Sequence, residues 1–277
     1  MTFSTNSMVS ESKAQVEGGV ENMTSPPVRT GLSIVIPAYN EADRIGATIR
    51  ELESNIPEIA EIIVVADGTD NTPEVAISNG HKVRVLRFDK RLGQGGAVFQ
   101  GFRAGRGNVI GFVDADGSTP WYEVKKICSL VDERNRAVFG SRWVNGSRIL
   151  RKEPFRNIVG GRVFHYLAVA ILGIETKDFF CGAKAFTYDI AMELTKRITI
   201  QDRTFNLAIA YHLYKMGIIP LEVGIDWMHV DRSKLPVRPK TVFIMFLTLL
   251  GLRIASNSNN EGVIDSLVNF RQRIRFY

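Results

Sequence analysis

The chain has 277 residues, with 35 Lys and Arg against 29 Asp and Glu, a formal charge of +6, and 45% hydrophobic and 23% charged residues. That is the balance of an ordinary globular protein with enough core for one large domain. The basic excess is too small to argue for nucleic acid, although it suits anionic substrates or a membrane surface. Cys128 and Cys181 stand alone, with no CxxC or Cys/His cluster, which argues against a structural zinc site or a disulfide framework and suits an intracellular setting.

Residues 1–30 are rich in Ser, Thr, Asn, Glu and Gly, end near Ser25-Pro26-Pro27 and lack the apolar core of a signal peptide, so they read as a disordered tail. Strand-like apolar runs then alternate with helix-like stretches. Residues 32–37 precede a helix over 42–55, and 62–66 precede a short helix near 73–79. Residues 83–88 lead to a helix at 94–106, and 109–113 to one at 121–134. Continuous β-branched runs separated by helices predict an α/β, Rossmann-like single domain over 31–240, its mainly parallel central sheet flanked by helices.

A further strand at 137–140 ends in Ser141-Arg142, and a basic loop runs on to Arg156. Two strongly apolar runs, 163–174 and 242–254, fall short of the ~20 residues that span a bilayer. Each taken alone reads as a buried core helix. The neighbouring Arg156, Arg162, Arg238, Lys240 and Arg253 also suit helices lying in a membrane interface. Between these runs, 181–186 and 221–225 read as strands flanking a helix near 204–215. Residues 241–277 read as apolar and basic C-terminal helices.

Ligands of parallel sheets bind at the carboxyl ends of the strands. Four such ends are polar here: Asn40-Glu41, Asp67-Gly68, the stretch from Lys90 to Gly96, and Asp114-Ala115-Asp116. No GxxxxGK[ST] occurs, and the Gly93-Gln94-Gly95-Gly96 turn follows the third strand with Val98 at the last position of a GxGxxG, so neither nucleotide signature is met. Asp114 and Asp116 carry the sharpest signal. Two carboxylates two residues apart at the end of a buried strand are costly unless a cation sits between them, and a hard divalent ion carrying a diphosphate fits. A simple Asp-Gly turn is the other reading.

Pro37-Ala38-Tyr39-Asn40-Glu41, Asp67-Gly68 and Asp114-Ala115-Asp116-Gly117-Ser118-Thr119 resemble, over about residues 31–256, the family 2 glycosyltransferases of the GT-A fold. Asp178-Phe179-Phe180-Cys181-Gly182-Ala183-Lys184 and Asp226-Trp227 with Ser233-Lys234-Leu235 narrow the resemblance to polyprenol-phosphate sugar synthases, dolichyl-phosphate glucose synthases above all. The resemblance implies inverting transfer of a hexose from a UDP- or GDP-sugar to a polyprenyl or dolichyl phosphate, making a lipid-linked sugar for glycan assembly. It implies Mg²⁺ or Mn²⁺ on Asp114, Asp116 and Ser118. It places Pro37, Tyr39, Glu41, Asp67, Lys90, Asp114, Ala115 and Lys234 around the nucleotide sugar, and Arg142 and Arg156 on the acceptor phosphate. Asp116, Arg142 and Asp202 form its catalytic set.

Two positions depart from that pattern. Ala66 stands where the family carries the first Asp of D-D-G-S, and Asn206 stands where the lipid-phosphate relatives carry Asp. An amide is no general base. An acceptor phosphate, already anionic, needs positioning rather than deprotonation, so Asn206 favours a phosphate over a hydroxyl acceptor. Glucose from UDP is the first expectation and mannose from GDP the second. Transfer to a glycan hydroxyl and nucleotide-sugar binding without turnover are the alternatives. A lipid-phosphate acceptor implies a peripheral enzyme on the cytosolic face of a membrane, anchored by 163–174, 242–254 and the basic-aromatic 270–277. His81, His165, His212 and His229 show no ligand spacing and receive no role.

Overall fold

A computed structural model describes residues 29–151, 155–230 and 239–257. Its strands are β1 (Leu32–Ala38), β2 (Ile59–Ala66), β3 (Val83–Arg87), β4 (Val109–Val113), β5 (Ala137–Ser141), β6 (Arg148–Arg151), β7 (Ala183–Thr187), β8 (Leu221–Gly224) and β9 (Asp226–Met228). Its helices are α1 (Ala42–Asn55), α2 (Thr72–Ser78), α3 (Gln94–Ala104), α4 (Trp121–Ser129), α5 (Phe155–Leu172), α6 (Tyr188–Arg197), α7 (Phe205–Lys215) and α8 (Pro239–Asn257). Seven strands form one sheet in the order β3-β2-β1-β4-β7-β5-β8, while β6 and β9 form a small parallel ribbon. Only β7 runs antiparallel, to both β4 and β5.

Side-chain alternation divides the core between the two faces of the sheet. Ile34, Ile36, Ile62 and Val64 pack with Ile45, Ile49 and Leu52 of α1 and Val124 and Ile127 of α4. Val35, Ile63, Val65 and Phe112 face α3, α6 and α7, where Phe99, Phe102, Phe186 and Phe205 complete an aromatic cluster with centroids 5.6–6.2 Å apart. Met245, Leu249 and Leu252 of α8 and Phe164, Ala168 and Leu172 of α5 join this second core.

Four local features differ from the sequence expectation. The helix expected over 121–134 stops at Ser129, because Asp132 Oδ1 accepts the N–H groups of Arg134 (2.8 Å) and Asn135 (2.6 Å) in a turn. The basic loop contains β6, a short, mostly exposed strand with no apolar period, and β9 follows directly on β8. Helix α6 follows β7 without a break, so no turn signal announces it. The apolar run at 163–174 is the second half of α5, which ends before Gly173 at φ 69°. No helix among the described residues is long and apolar enough to cross a membrane. Residues 1–28 and 258–277, with the expected tail and basic-aromatic end, lie outside the described residues.

β1 pairs with β4 only from Leu32 to Val35, yet continues along β2 to Ala38. Pro37, which has no N–H to donate, lies in the part of β1 beyond the β4 pairing. The chain order reverses between these two strands, and a crevice opens at their carboxyl ends.

Candidate active site

The first two strand ends form one unit. Asn40, in the left-handed region at φ 56°, accepts the N–H groups of Thr69 (2.8 Å) and Asp70 (3.3 Å) on its Oδ1. A Cβ at Gly68 would stand 2.3 Å from that oxygen, so only glycine lets the loops meet. Thr72 Oγ1 accepts the Glu41 N–H at 2.8 Å. Glu41 takes Arg44 Nε at 2.7 Å, and the Arg91 guanidinium lies 3.9 Å over the Tyr39 ring. Asp67, 6% exposed, accepts the N–H groups of Leu92 (2.8 Å) and Gly93 (3.1 Å), and burial raises its carboxyl against these bonds. Pro37, Tyr39, Glu41 and Asp67 thus share one edge, where Glu41 and Asp67 also hold neighbouring structure together. Lys90 is exposed beside Arg91. The N–H groups of Gly95 and Gly96 donate to the Gln201 carbonyl at 2.8 and 3.2 Å, so this glycine-rich turn is committed within the protein.

Asp114 leaves β4 with its N–H on the Gly182 carbonyl (3.1 Å) and its Oδ1 accepting Gln94 Nε2 (3.0 Å). A Cβ at Gly182 would lie 1.8 Å from Asp114 Oδ2. Ala115 is buried, and its carbonyl accepts the Thr48 hydroxyl at 2.9 Å. Asp116 Oδ1 accepts the Ser118 N–H (3.0 Å) across Gly117 at φ 72°, and the buried Ser118 receives the Met228 N–H on its carbonyl at 3.0 Å. Burial and then the charge of Asp116 push the Asp114 carboxyl up to about 7, against Lys184, Gln94 and Arg203.

Among the described residues no three His, Cys, Asp or Glu side chains form a closed metal cage. Two crowded carboxylates, one of them desolvated, instead fit a divalent cation that brings phosphate and water ligands with its substrate. Asp114 and Asp116 would hold it, with Ser118 in the same turn. Such a cation, when bound, neutralises charge developing on a leaving diphosphate.

At the same sheet edge, two strands beyond β4, Arg142 follows β5. Its Nε and Nη2 each donate to Asp178 at 2.8 Å, and its N–H does so at 2.9 Å. Burial alone would raise the Asp178 carboxyl, but Arg142 outweighs it and holds the group below its ordinary value. Glu222 accepts the N–H groups of Lys177 (2.8 Å) and Asp178 (3.0 Å), fixing this pair to β8. The Arg142 guanidinium lies 5.1 Å from the Trp227 ring, and Arg162 lies 4.2 Å over Trp143. Arg156 falls in the first turn of α5, but its side chain and the whole of Lys234 lie outside the described residues.

Asp202 Oδ1 accepts the N–H (2.8 Å) and hydroxyl (2.5 Å) of Thr204 just ahead of α7. Asn206, 3% exposed, accepts Lys184 Nζ at 2.6 Å. Sequence reasoning assigned no role to Lys184, Asp178, Gln94, Arg203 or Trp143. Lys184 and Asp178 were visible as charges inside an otherwise apolar segment, whereas Arg203 and Gln94 carry no such signal. Asp226 is a structural acid: it accepts Arg148 Nε (2.7 Å) and the Tyr122 hydroxyl (3.0 Å), clamping the β6-β9 ribbon to α4. His165 packs on Phe179 with centroids 5.3 Å apart.

Residues 33–195 match the family described as Glycosyl transferase family 2. The chain is 30% identical over 224 residues to the dolichyl-phosphate beta-glucosyltransferase of Dictyostelium discoideum, covering 74% of this chain and 68% of that protein. It is 31% identical over 232 residues to the Saccharomyces cerevisiae protein of the same name, covering 74% and 69%. Glucosyl-3-phosphoglycerate synthase from Mycobacterium tuberculosis, solved with uridine diphosphate, superposes with a TM-score of 0.63 at 19% identity, covering 82% of this chain and 80% of that one. The same enzyme with Mn²⁺, uridine diphosphate and phosphoglyceric acid gives 0.62 at 20% identity, covering 82% and 79%. At these identities the likeness shows the fold.

Proposed function

As the chain belongs to glycosyl transferase family 2, we propose that it transfers glucose from UDP-glucose to dolichyl phosphate with inversion, using Mg²⁺ or Mn²⁺. The observation that carries the reading is the Asp114–Asp116 pair at the crevice between β1 and β4, with an arginine oriented by a buried acid at the same sheet edge, at the end of β5. Relatives named dolichyl-phosphate beta-glucosyltransferase support the sugar and the lipid. Tyr39, Asp67 and Glu41 line the edge where the nucleoside would lie, and Arg142 faces the acceptor phosphate.

Attack comes from a phosphate oxygen on the anomeric carbon. The C1–O bond to the diphosphate breaks as the new bond forms, and no proton need be removed. Asn206 agrees with this, since its amide is occupied by Lys184. The exposed apolar residues of α5 and α8 support action at a membrane surface, and the proposed site of action is its cytosolic face.

The test is incubation of the full chain with radiolabelled UDP-glucose, Mn²⁺ and dolichyl phosphate. The expected product is organic-extractable and acid-labile, and Asp116→Ala lowers its formation by roughly 10²–10³-fold. Label from GDP-mannose but not UDP-glucose would replace the donor assignment. Undiminished turnover by Asp116→Ala would remove the metal role.

A further inference from the structure

Lys184 is 1% exposed in the middle of the sheet, where an ammonium is costly unless each proton has an acceptor. It has three: Phe179 O at 3.0 Å, Cys181 O at 2.6 Å and Asn206 Oδ1 at 2.6 Å. The rings of Phe112 and Phe139 lie 5.3 and 5.0 Å from Nζ. Every acceptor in contact is neutral, so the charge is hydrogen-bonded but not cancelled where it sits. The carboxylates that feel it are Asp178 and Asp114, and Asp178 already balances Arg142. Asp114 is the remaining recipient of the field.

The same ammonium fixes backbone. The carbonyls of Phe179 and Cys181 belong to a short segment that begins at Asp178, the partner of Arg142, and ends at Gly182, packed against the Asp114 carboxylate. We propose that Lys184 is a positioning residue for both halves of the site, and that neutral Asn206, by leaving its charge uncancelled, sets how tightly the Asp114–Asp116 pair holds a divalent cation and how readily the site accepts a diphosphate. The proposal rests on the metal and diphosphate reading above and adds the residue pair that tunes it.

Asn206→Asp is nearly isosteric and would pair with Lys184, cancelling its field at Asp114. On the full chain, Mn²⁺ alone, followed by electron paramagnetic resonance of the free aqua ion, is expected to bind about tenfold tighter. Inorganic pyrophosphate without metal is expected to bind about tenfold weaker. A loosened structure would weaken both, so opposite shifts separate the charge effect from simple damage. Asn206→Ala keeps the charge and removes an acceptor, so its melting temperature falls while both affinities stay within about twofold.

Unchanged affinities in Asn206→Asp, or a joint loss of both, overturn the proposal. If Mn²⁺ binding is lost in Asp116→Ala but unmoved in Asn206→Asp, the tuning role falls and the metal reading stands. Opposite shifts without any glucose transfer would leave the tuning role standing and remove the function. A wild-type chain that binds no Mn²⁺ at millimolar concentration overturns both.

Discussion

A methyl group added at Gly182 would stand 1.8 Å from Asp114 Oδ2, closer than any nonbonded contact, so Gly182→Ala must turn the carboxylate or push back β7. Displacing a reacting group by about 1 Å costs on the order of 10²-fold in rate. Dolichyl-phosphate glucosylation by Gly182→Ala is therefore expected to fall about 100-fold, with Mn²⁺ affinity falling alongside; full activity would mean that the carboxylate is used in another position. The acids of this site were legible in the sequence because their spacing is local: Asp114 and Asp116 close one strand. Their supports were not. Gln94 and Gly182 reach Asp114 from α3 and from the turn before β7, a juxtaposition made by strand order alone. Asp178 reaches Arg142 across 36 residues of sequence.

Helix α7 carries a buried histidine whose protonation is coupled to folding. Burial, with Arg197 and Lys215 adding to it, lowers His212 to about 4. Its unfolded value is about 6.5, so between pH 6.5 and 4 the unfolded chain takes up a proton that the folded chain refuses. Stability from this group is complete above about pH 6.5 and is lost progressively down to about pH 4. The loss is about 3 kcal/mol by linkage, or roughly 6–12 °C in melting temperature. His212→Gln is expected to flatten the melting profile over that window, and an identical slope in the variant would assign the transition to other groups. At this scale the strong apolar periods could be read directly: α1 and β4 match their expected bounds because each is bracketed by turn residues. α6 and β6 could not be read. The first has no break before it, and the second owes its strand form to β9 and to the Arg148–Asp226 pair.

Taken as a molecule, the protein has two apolar helices that each bury one stripe and expose another. Helix α5 buries Phe164, Ala168 and Leu172 in the core while Val163, Tyr166 and Leu167 are exposed. Helix α8 buries Met245, Leu249 and Leu252 while Phe243, Phe246, Leu250 and Ile254 are exposed. The sequence pattern showed two strongly apolar runs that suited either buried core helices or helices in a membrane interface; their packing shows which stripe each gives to the core and which it leaves outside. Exposed apolar stripes on adjoining helices are costly in water and mark an interaction surface. With Arg162 and Arg253 on the same helices, an anionic lipid interface is the partner whose chemistry suits them. Tyr166 and Phe243 are 63% and 53% exposed, so replacing both by Ser leaves the core intact. Burying one such side chain contributes about 1.5–3 kcal/mol, so Tyr166→Ser with Phe243→Ser is expected to weaken binding to phosphatidylserine-containing vesicles by well over tenfold. The melting temperature should shift by no more than a few degrees. Flotation with vesicles reads the first and thermal melting the second; equal flotation of variant and wild type would remove this face from the membrane contact.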